Sequence, residues 1–465
     1  MGRTGWIGGM GGTGWIGAMS RIRAVGGSNQ GRGTRWMLQA LLLLGILSLP
    51  VPPAFPAPAQ VSFEQATRDL ASPDASARLK AAQMMKQAGY PEAAIPLAAL
   101  VTDPTDEVQL EAIAAELNIF LEERVVPRKR IGFVIEVRNH VLAESAFSSG
   151  PLAIGAKPVP SEVLTALRTA SRDEQPRVAL EAIYAFGVLA VEPSGQARRE
   201  LLHTSGPALA ALLGVPDPAM RFAAVRVVGR VFAPRVHDSP IEESLGDAVI
   251  TALNDPDRAV KSAAMESLGL LRYARGVQAL TELFQYYGKG EPAEAALDAI
   301  ARVAYGASAP LFASQLTAKS AALRGIAAEG LARLGDASQL PAIQAALASE
   351  RGDSLLLTGA FASAMLSNVP LTPIAEALTR PKLRDQAYQY LVELAPGRSS
   401  LFTPQLEDPD PRLRADAVDI LALAGDAAAL PLVERLLADR DSQVVKAAER
   451  AVARLRGLSN RKPTS

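Results

Sequence analysis

The feature that most constrains this chain is one short pattern written many times. Asp408-Pro409-Asp410-Pro411-Arg412-Leu413-Arg414 aligns with Asp255-Pro256-Asp257-Arg258-Ala259-Val260-Lys261: both aspartates, the first proline, the apolar residue and the final base correspond. In each copy an alanine follows that base by three residues (Ala417, Ala264) and a leucine by seven (Leu421, Leu268). Apolar residues at these intervals share one face of an α-helix. The stripe returns as Val178, Ala182 and Phe186, as Met220, Ala224 and Val228, and as Leu323, Ala327 and Leu331. Leu383, Ala387 and Leu391 continue it, and Val444, Ala448 and Val452 close it. Ala295, Ala299 and Val303 make a weaker copy, and Leu355 with Gly359 a degenerate one. The steps between copies run from 28 to 42 residues, the range of a two-helix repeat.

The segment after each stripe repeats as well. Leu334-Gly335-Asp336-Ala337-Ser338-Gln339-Leu340-Pro341-Ala342-Ile343 parallels Ala424-Gly425-Asp426-Ala427-Ala428-Ala429-Leu430-Pro431-Leu432-Val433, 90 residues on. Glycine ends the stripe helix because it accepts the left-handed conformation of a C-terminal cap. The aspartates suit the cap of the next helix, and the prolines its first turn, where no N–H is needed. Read in this order, each unit is a stripe helix followed by a Leu-Pro helix, antiparallel. The second of each pair is expected to line the concave face. The Asp and the base that flank the apolar position are placed to pair with neighbouring units, while an Asp at the turn acts mainly as a helix cap.

These residues resemble the HEAT repeat family, in the short bacterial form found also in phycobilisome lyase subunits. The pattern stands most cleanly at Asp255 to Gly269 and Asp408 to Leu421; Asp103-Pro104 with Val108 and Ala112, and Asp74 with Leu79, extend it towards the N-terminus. The resemblance implies an all-α fold: a right-handed α-solenoid of about ten or eleven stacked two-helix HEAT-like repeats. It also implies a non-catalytic scaffold for protein–protein interaction. The alternative it carries is a bilin or tetrapyrrole lyase-like enzyme subunit. A leader for export speaks against that alternative, because such lyases work in the cytoplasm. The physics agrees with a stack: one helix pair cannot bury both its apolar faces, and a row of pairs can.

One stretch departs from the repeat. Residues 124–160 open with Arg124-Val125-Val126-Pro127-Arg128-Lys129-Arg130 and contain no Asp-Pro start. A degenerate repeat with an insertion is expected, with Val134 to Val137 a candidate strand and Val141 to Phe147 helical. Arg128, Lys129 and Arg130 are the candidate partner-binding residues, facing an acidic surface; the plainer reading is a structural elaboration whose charges are solvated.

Catalytic chemistry is hard to find. The chain has no cysteine, which excludes disulfides, thiolate metal sites and a cysteine nucleophile. Its three histidines, His140, His203 and His237, are far apart in sequence. No His-Glu-x-x-His, Gly-x-Ser-x-Gly or phosphate loop occurs; Gly288-Lys289-Gly290 reads as an isolated turn. The expectation is no enzyme, no cofactor and no metal. Phe284 with Tyr286 and Tyr287, and Tyr388 and Tyr390 with Phe402, are aromatic spots read chiefly as core.

The first residues read as a leader. Residues 1–36 are Gly-rich, with Thr4 to Gly8 duplicated as Thr13 to Gly17, five arginines and no acid. The apolar run Met37 to Leu49 is shorter than the roughly 20 residues of a membrane span and suits a signal-peptide core. Ala57-Pro58-Ala59 then offers a cleavage site before Gln60, giving a periplasmic or secreted protein; an uncleaved anchor is the alternative. Met19 makes a tidier start than Met1. Cleavage removes five bases and no acid from a chain with 48 of each, leaving 43 bases against 48 acids. That balance argues against nucleic acid as a partner and for an unidentified protein. The organisation is therefore leader 1–59, HEAT-like repeats 60–123, degenerate repeat and insertion 124–160, HEAT-like repeats 161–456, and a tail 457–465 expected to be disordered.

Overall fold

The computed structural model describes residues 62–121, 142–150, 154–155, 158–191, 205–234, 241–367 and 369–459. All lie in one compact unit, Val61–Ser465; a second unit, Met1–Gln60, lies outside the described residues. The described chain is helical, without a strand, and forms eleven units, each a short helix followed by a longer stripe helix. Glu243–Ala252 with Arg258–Leu271 is one complete unit, the fifth, and Thr403–Leu406 with Pro411–Ala424 the tenth. The row is the expected α-solenoid, at the upper end of the expected count.

Stacking is carried by the stripes. Val108, Val178, Val260 and Val444 are fully buried, as are Ala112, Ala182, Ala224, Ala264, Ala327, Ala387 and Ala448. Alanine keeps successive stripe helices close enough to share one continuous core. The closest approaches use glycine. A Cβ on Gly229 would lie 2.8 Å from the Cβ of Ser267 on the next stripe helix. Ser267 has no room to retreat, because its hydroxyl donates to the Val225 carbonyl at 2.9 Å.

Turn chemistry follows the sequence. Asp74, Asp217, Asp257 and Asp410 cap their stripe helices through the side chain. Asp336 and Asp426 accept the amides of Ser338 and Ala428 at the start of the short helices. Gly335 and Gly425 adopt φ of 77° and 73°, as a left-handed cap requires.

The flanking Asp and base do pair, always forward along the row. Arg78 forks onto Asp103, Arg221 onto Asp255 and Arg414 onto Asp439, with N–O distances of 2.6 to 2.9 Å. The third guanidinium nitrogen of each arginine donates to two carbonyls of its own turn, such as Val215 and Pro216 for Arg221. Each aspartate meanwhile accepts the amide two residues ahead of it. One rung therefore fixes two turns and one interface. Variants occur: Gln109 reaches Asp173 at 2.9 Å, and Arg324 pairs with Glu350.

The insertion is partly described. Ala143–Ser148 is helical, as expected for this stretch, and packs on Pro176–Leu189. Phe147 and Val227 come so near Gly187 that a Cβ there would lie within 3 Å of both. Leu121 and Ile154 form one isolated antiparallel bridge. Val134 to Val137, the candidate strand, lie outside the described residues.

Two measurements test this construction. Gly229→Ala forces an overpacked contact against a tethered neighbour and should destabilise the unit by about 1–3 kcal/mol in urea unfolding. The second concerns acid. Arg221 holds the Asp255 carboxyl below the ordinary carboxylate range, and Arg414 does the same for Asp439. A carboxyl with a depressed folded pKa contributes stability above its unfolded value of about 4, and that contribution is lost as pH falls through the folded value. Asp255→Asn should therefore be less stable at neutral pH and lose less on acidification; a fall in unfolding midpoint as steep as that of the unsubstituted protein would remove the rung from this account.

Candidate functional site

The stripe helices do more than carry the core. Their C-terminal ends converge on a cavity of about 520 Å³, lined from Val191, after the third stripe helix, to Arg454 on the eleventh. Gly229 and Arg230, Ala233 and Pro234, Glu266, Gly269 and Leu270, Arg302, Arg333, Leu423 and four residues from Tyr388 to Glu393 complete the wall, with Arg272 at one helix end. One expectation is corrected here. The inner face is built by the stripe helices, first in each pair as the sequence was read, because their alanines let them pack more tightly than the short helices do. The row bends until units far apart in sequence share one space.

The wall is cationic and apolar at once. Arg230, Arg272, Arg302, Arg333 and Arg454 face the carboxylates of Glu266 and Glu393. Several of these bases sit at helix C-termini, where a positive charge offsets the helix dipole. Their chemistry differs from one to the next. Arg302 is held by Asp298 at 2.7 Å. Arg230 donates to the Phe147 carbonyl of the insertion helix and lies 3.5 Å over the Phe147 ring. Burial, helped by Arg226, pushes its pKa down to about 10. Arg272 is exposed and makes no ion pair among the described residues.

Behind the wall runs a polar network spanning the seventh to ninth units. Arg333 forks onto Glu393 at 2.7 and 3.0 Å and also meets Glu329 at 3.0 Å. Glu329 accepts the Tyr390 hydroxyl. Tyr390 shares a 2.9 Å hydrogen bond with Thr358 and accepts one from Gln386 at 2.8 Å. Its ring stacks on Phe361 with centroids 4.2 Å apart. Burial raises the Glu329 pKa despite Arg333, and raises that of Tyr390, where Glu329 adds to the effect. Burial opposes the charge on Arg333, but Glu393 and Glu329 outweigh it and its pKa goes up. One donor is left over: Nη1 of Arg333 has no acceptor among the described residues.

The residues singled out from sequence fare unevenly. Arg128, Lys129 and Arg130 lie outside the described residues, as do His140, His203 and His237. Tyr390, Phe402 and Phe284 are core, as read, whereas Tyr286 is 82% exposed and Tyr388 lines the cavity. Lys289 belongs to a turn flanked by Gly288 and Gly290, both with positive φ. The cavity arginines were not singled out. A signal for three of them exists: Arg230, Arg333 and Arg454 each stand six residues after a stripe alanine. Among the described residues no group of three or more His, Asp or Glu is placed to hold a metal ion.

Tyr390→Phe removes the hydroxyl shared by Glu329, Thr358 and Gln386 and leaves buried partners unsatisfied. The cost should be about 1–3 kcal/mol in chemical unfolding. A change below a few tenths would show that the network contributes nothing to stability.

Residues 207–287 match the family described as HEAT repeats. No curated protein matches the chain in sequence. Several solved structures are similar in fold. An engineered protein is 19% identical, covering 85% of this chain and 98% of its own, with a TM-score of 0.40. The complex of CpcE and CpcF of phycocyanin lyase from Nostoc sp. PCC7120 is 16% identical over 54% of this chain and 94% of its own, at 0.36. A structure of β-catenin, from work on a phosphorylation switch in its interaction with cadherin, is 12% identical over 85% and 94%, at 0.39. Scores this low carry nothing of those proteins' partners or activities to this chain. The match over residues 207–287 and the eleven helix pairs of the described residues agree on construction: the chain is an α-solenoid, similar over that stretch to HEAT repeats.

Proposed function

We propose that the chain is an exported protein-interaction scaffold that acts without catalysing a reaction of its own. The observation that carries this reading is the inner wall. A surface assembled from many repeats, apolar and cationic together, suits a segment of another protein laid along it. The charged side chains that meet there are mostly arginines, and Arg230, Arg302 and Arg333 are already engaged by carboxylates or a carbonyl, an arrangement suited to holding. Arg128, Lys129 and Arg130 are proposed as a second contact with an acidic partner. The apolar run Met37 to Leu49 and the small residues before Gln60 support export with cleavage after Ala59.

The protein recovered from an envelope fraction should begin at Gln60 on N-terminal sequencing. Crosslinking followed by capture should retain a partner, and replacing Arg128, Lys129 and Arg130 together by alanine should weaken capture without loss of helix content. Addition of haem or bilin should leave the absorbance spectrum of the pigment unchanged. A shifted band would favour the tetrapyrrole-handling alternative instead, and a full-length N-terminus would remove the cleaved leader.

A further inference from the structure

The cavity carries more information than its place in a scaffold. Arg272 ends the fifth stripe helix at φ 50° and ψ 41°, in the left-handed region. The corresponding turns at Gly89, Gly335 and Gly425 use glycine, which reaches that region without strain. Arginine there costs backbone free energy that glycine would spare. Ala304 occupies the same kind of position one unit later, so the turn tolerates a side chain but gains nothing from it. Strain held at the edge of a cavity is an observation from which function is properly inferred. Here the strained residue is also an exposed cation of the wall, without an ion pair among the described residues.

Two further observations agree. Arg333 lines the same cavity with its Nη1 lacking an acceptor, although its side chain is only 6% exposed. Carboxylates are already what this wall's arginines select, in the Arg333–Glu393 fork and the Arg302–Asp298 pair. Val191, Leu270, Val392 and Leu423 give the same space an apolar side. An inorganic anion has no use for that surface; an organic acid does.

We infer that the inner cavity is a binding site for an organic carboxylate with an apolar body, anchored by Arg272 and drawn in by the surrounding guanidiniums. The inference deepens the scaffold reading and rests on it only for the source of the ligand. The carboxylate belongs either to consecutive acidic and apolar side chains of a partner's segment or to a free dicarboxylic acid. A volume of about 520 Å³ suits either, since small-molecule sites span roughly 300–1,000 Å³. Glu266, exposed on the same wall, opposes any such ligand by its charge.

The test uses the whole mature chain and a fluorescent peptide of alternating glutamate and leucine, followed by anisotropy. Binding should weaken as salt rises. Arg272→Gly should weaken it at least about tenfold, while leaving the thermal midpoint unchanged or higher, because glycine relieves the turn. Glu266→Gln should tighten it. Competition by suberate assigns the site to a free dicarboxylic acid; failure of suberate beside a bound peptide assigns it to a partner's segment. The site is overturned if the peptide does not bind, if Arg272→Gly binds as the unsubstituted protein does, or if inorganic phosphate displaces the peptide as well as a carboxylate. Capture of a protein partner without peptide binding would sink this site and leave the scaffold; peptide binding without any captured protein would do the reverse.

Discussion

Every level of this structure depends on how closely one stripe helix can approach the next. A helix pair has two apolar faces and no means of covering both by itself. The alanines of the stripe, and glycines such as Gly229 and Gly187 at the tightest crossings, make the approach close. That closeness places the stripe helices on the inside of the bend. Their ends, rather than those of the short helices, then meet around the cavity.

Polar chemistry is layered onto this apolar frame in two ways. Between turns, forward rungs such as Arg221–Asp255 use charges at the edge of the core, where their partners also cap and brace the backbone. Inside, around Glu329 and Tyr390, hydrogen bonds cross three units in surroundings that raise the pKa of both acids. The first device is repetitive. The second is concentrated between the seventh and ninth units, with a smaller cluster of Tyr184, Glu144 and Arg226 nearer the N-terminus.

The architecture was readable from the sequence because it is local. A stripe of period near 3.6, a capping aspartate and a terminal glycine all fall within about thirty residues, and each unit needs only its neighbours. The direction of the bend was not readable, since both helices of a pair are apolar on the side they share. The cavity was hidden for the same reason. Arg230 and Arg454 become neighbours only through the summed curvature of the units between them, and no short-range pattern encodes that sum. Tyr390 read correctly as core, but its bond to Glu329, 61 residues earlier, passes over an intervening unit.

The forward rungs also set where the row yields. A rung needs a base three residues before the stripe alanine and an acid nine before the next one, as Arg221 and Asp255 stand to Ala224 and Ala264. From the fifth unit to the sixth the positions hold Lys261 and Gly290, and from the sixth to the seventh Ala296 and Ala318, so neither joint can be pinned in this way. These two joints lie between Arg272, Arg302 and Arg333. The same two positions hold Ala179 and Val215 from the third unit to the fourth, and Leu356 and Leu378 from the eighth to the ninth, so the rungs tie the row in short runs and four joints are held without one.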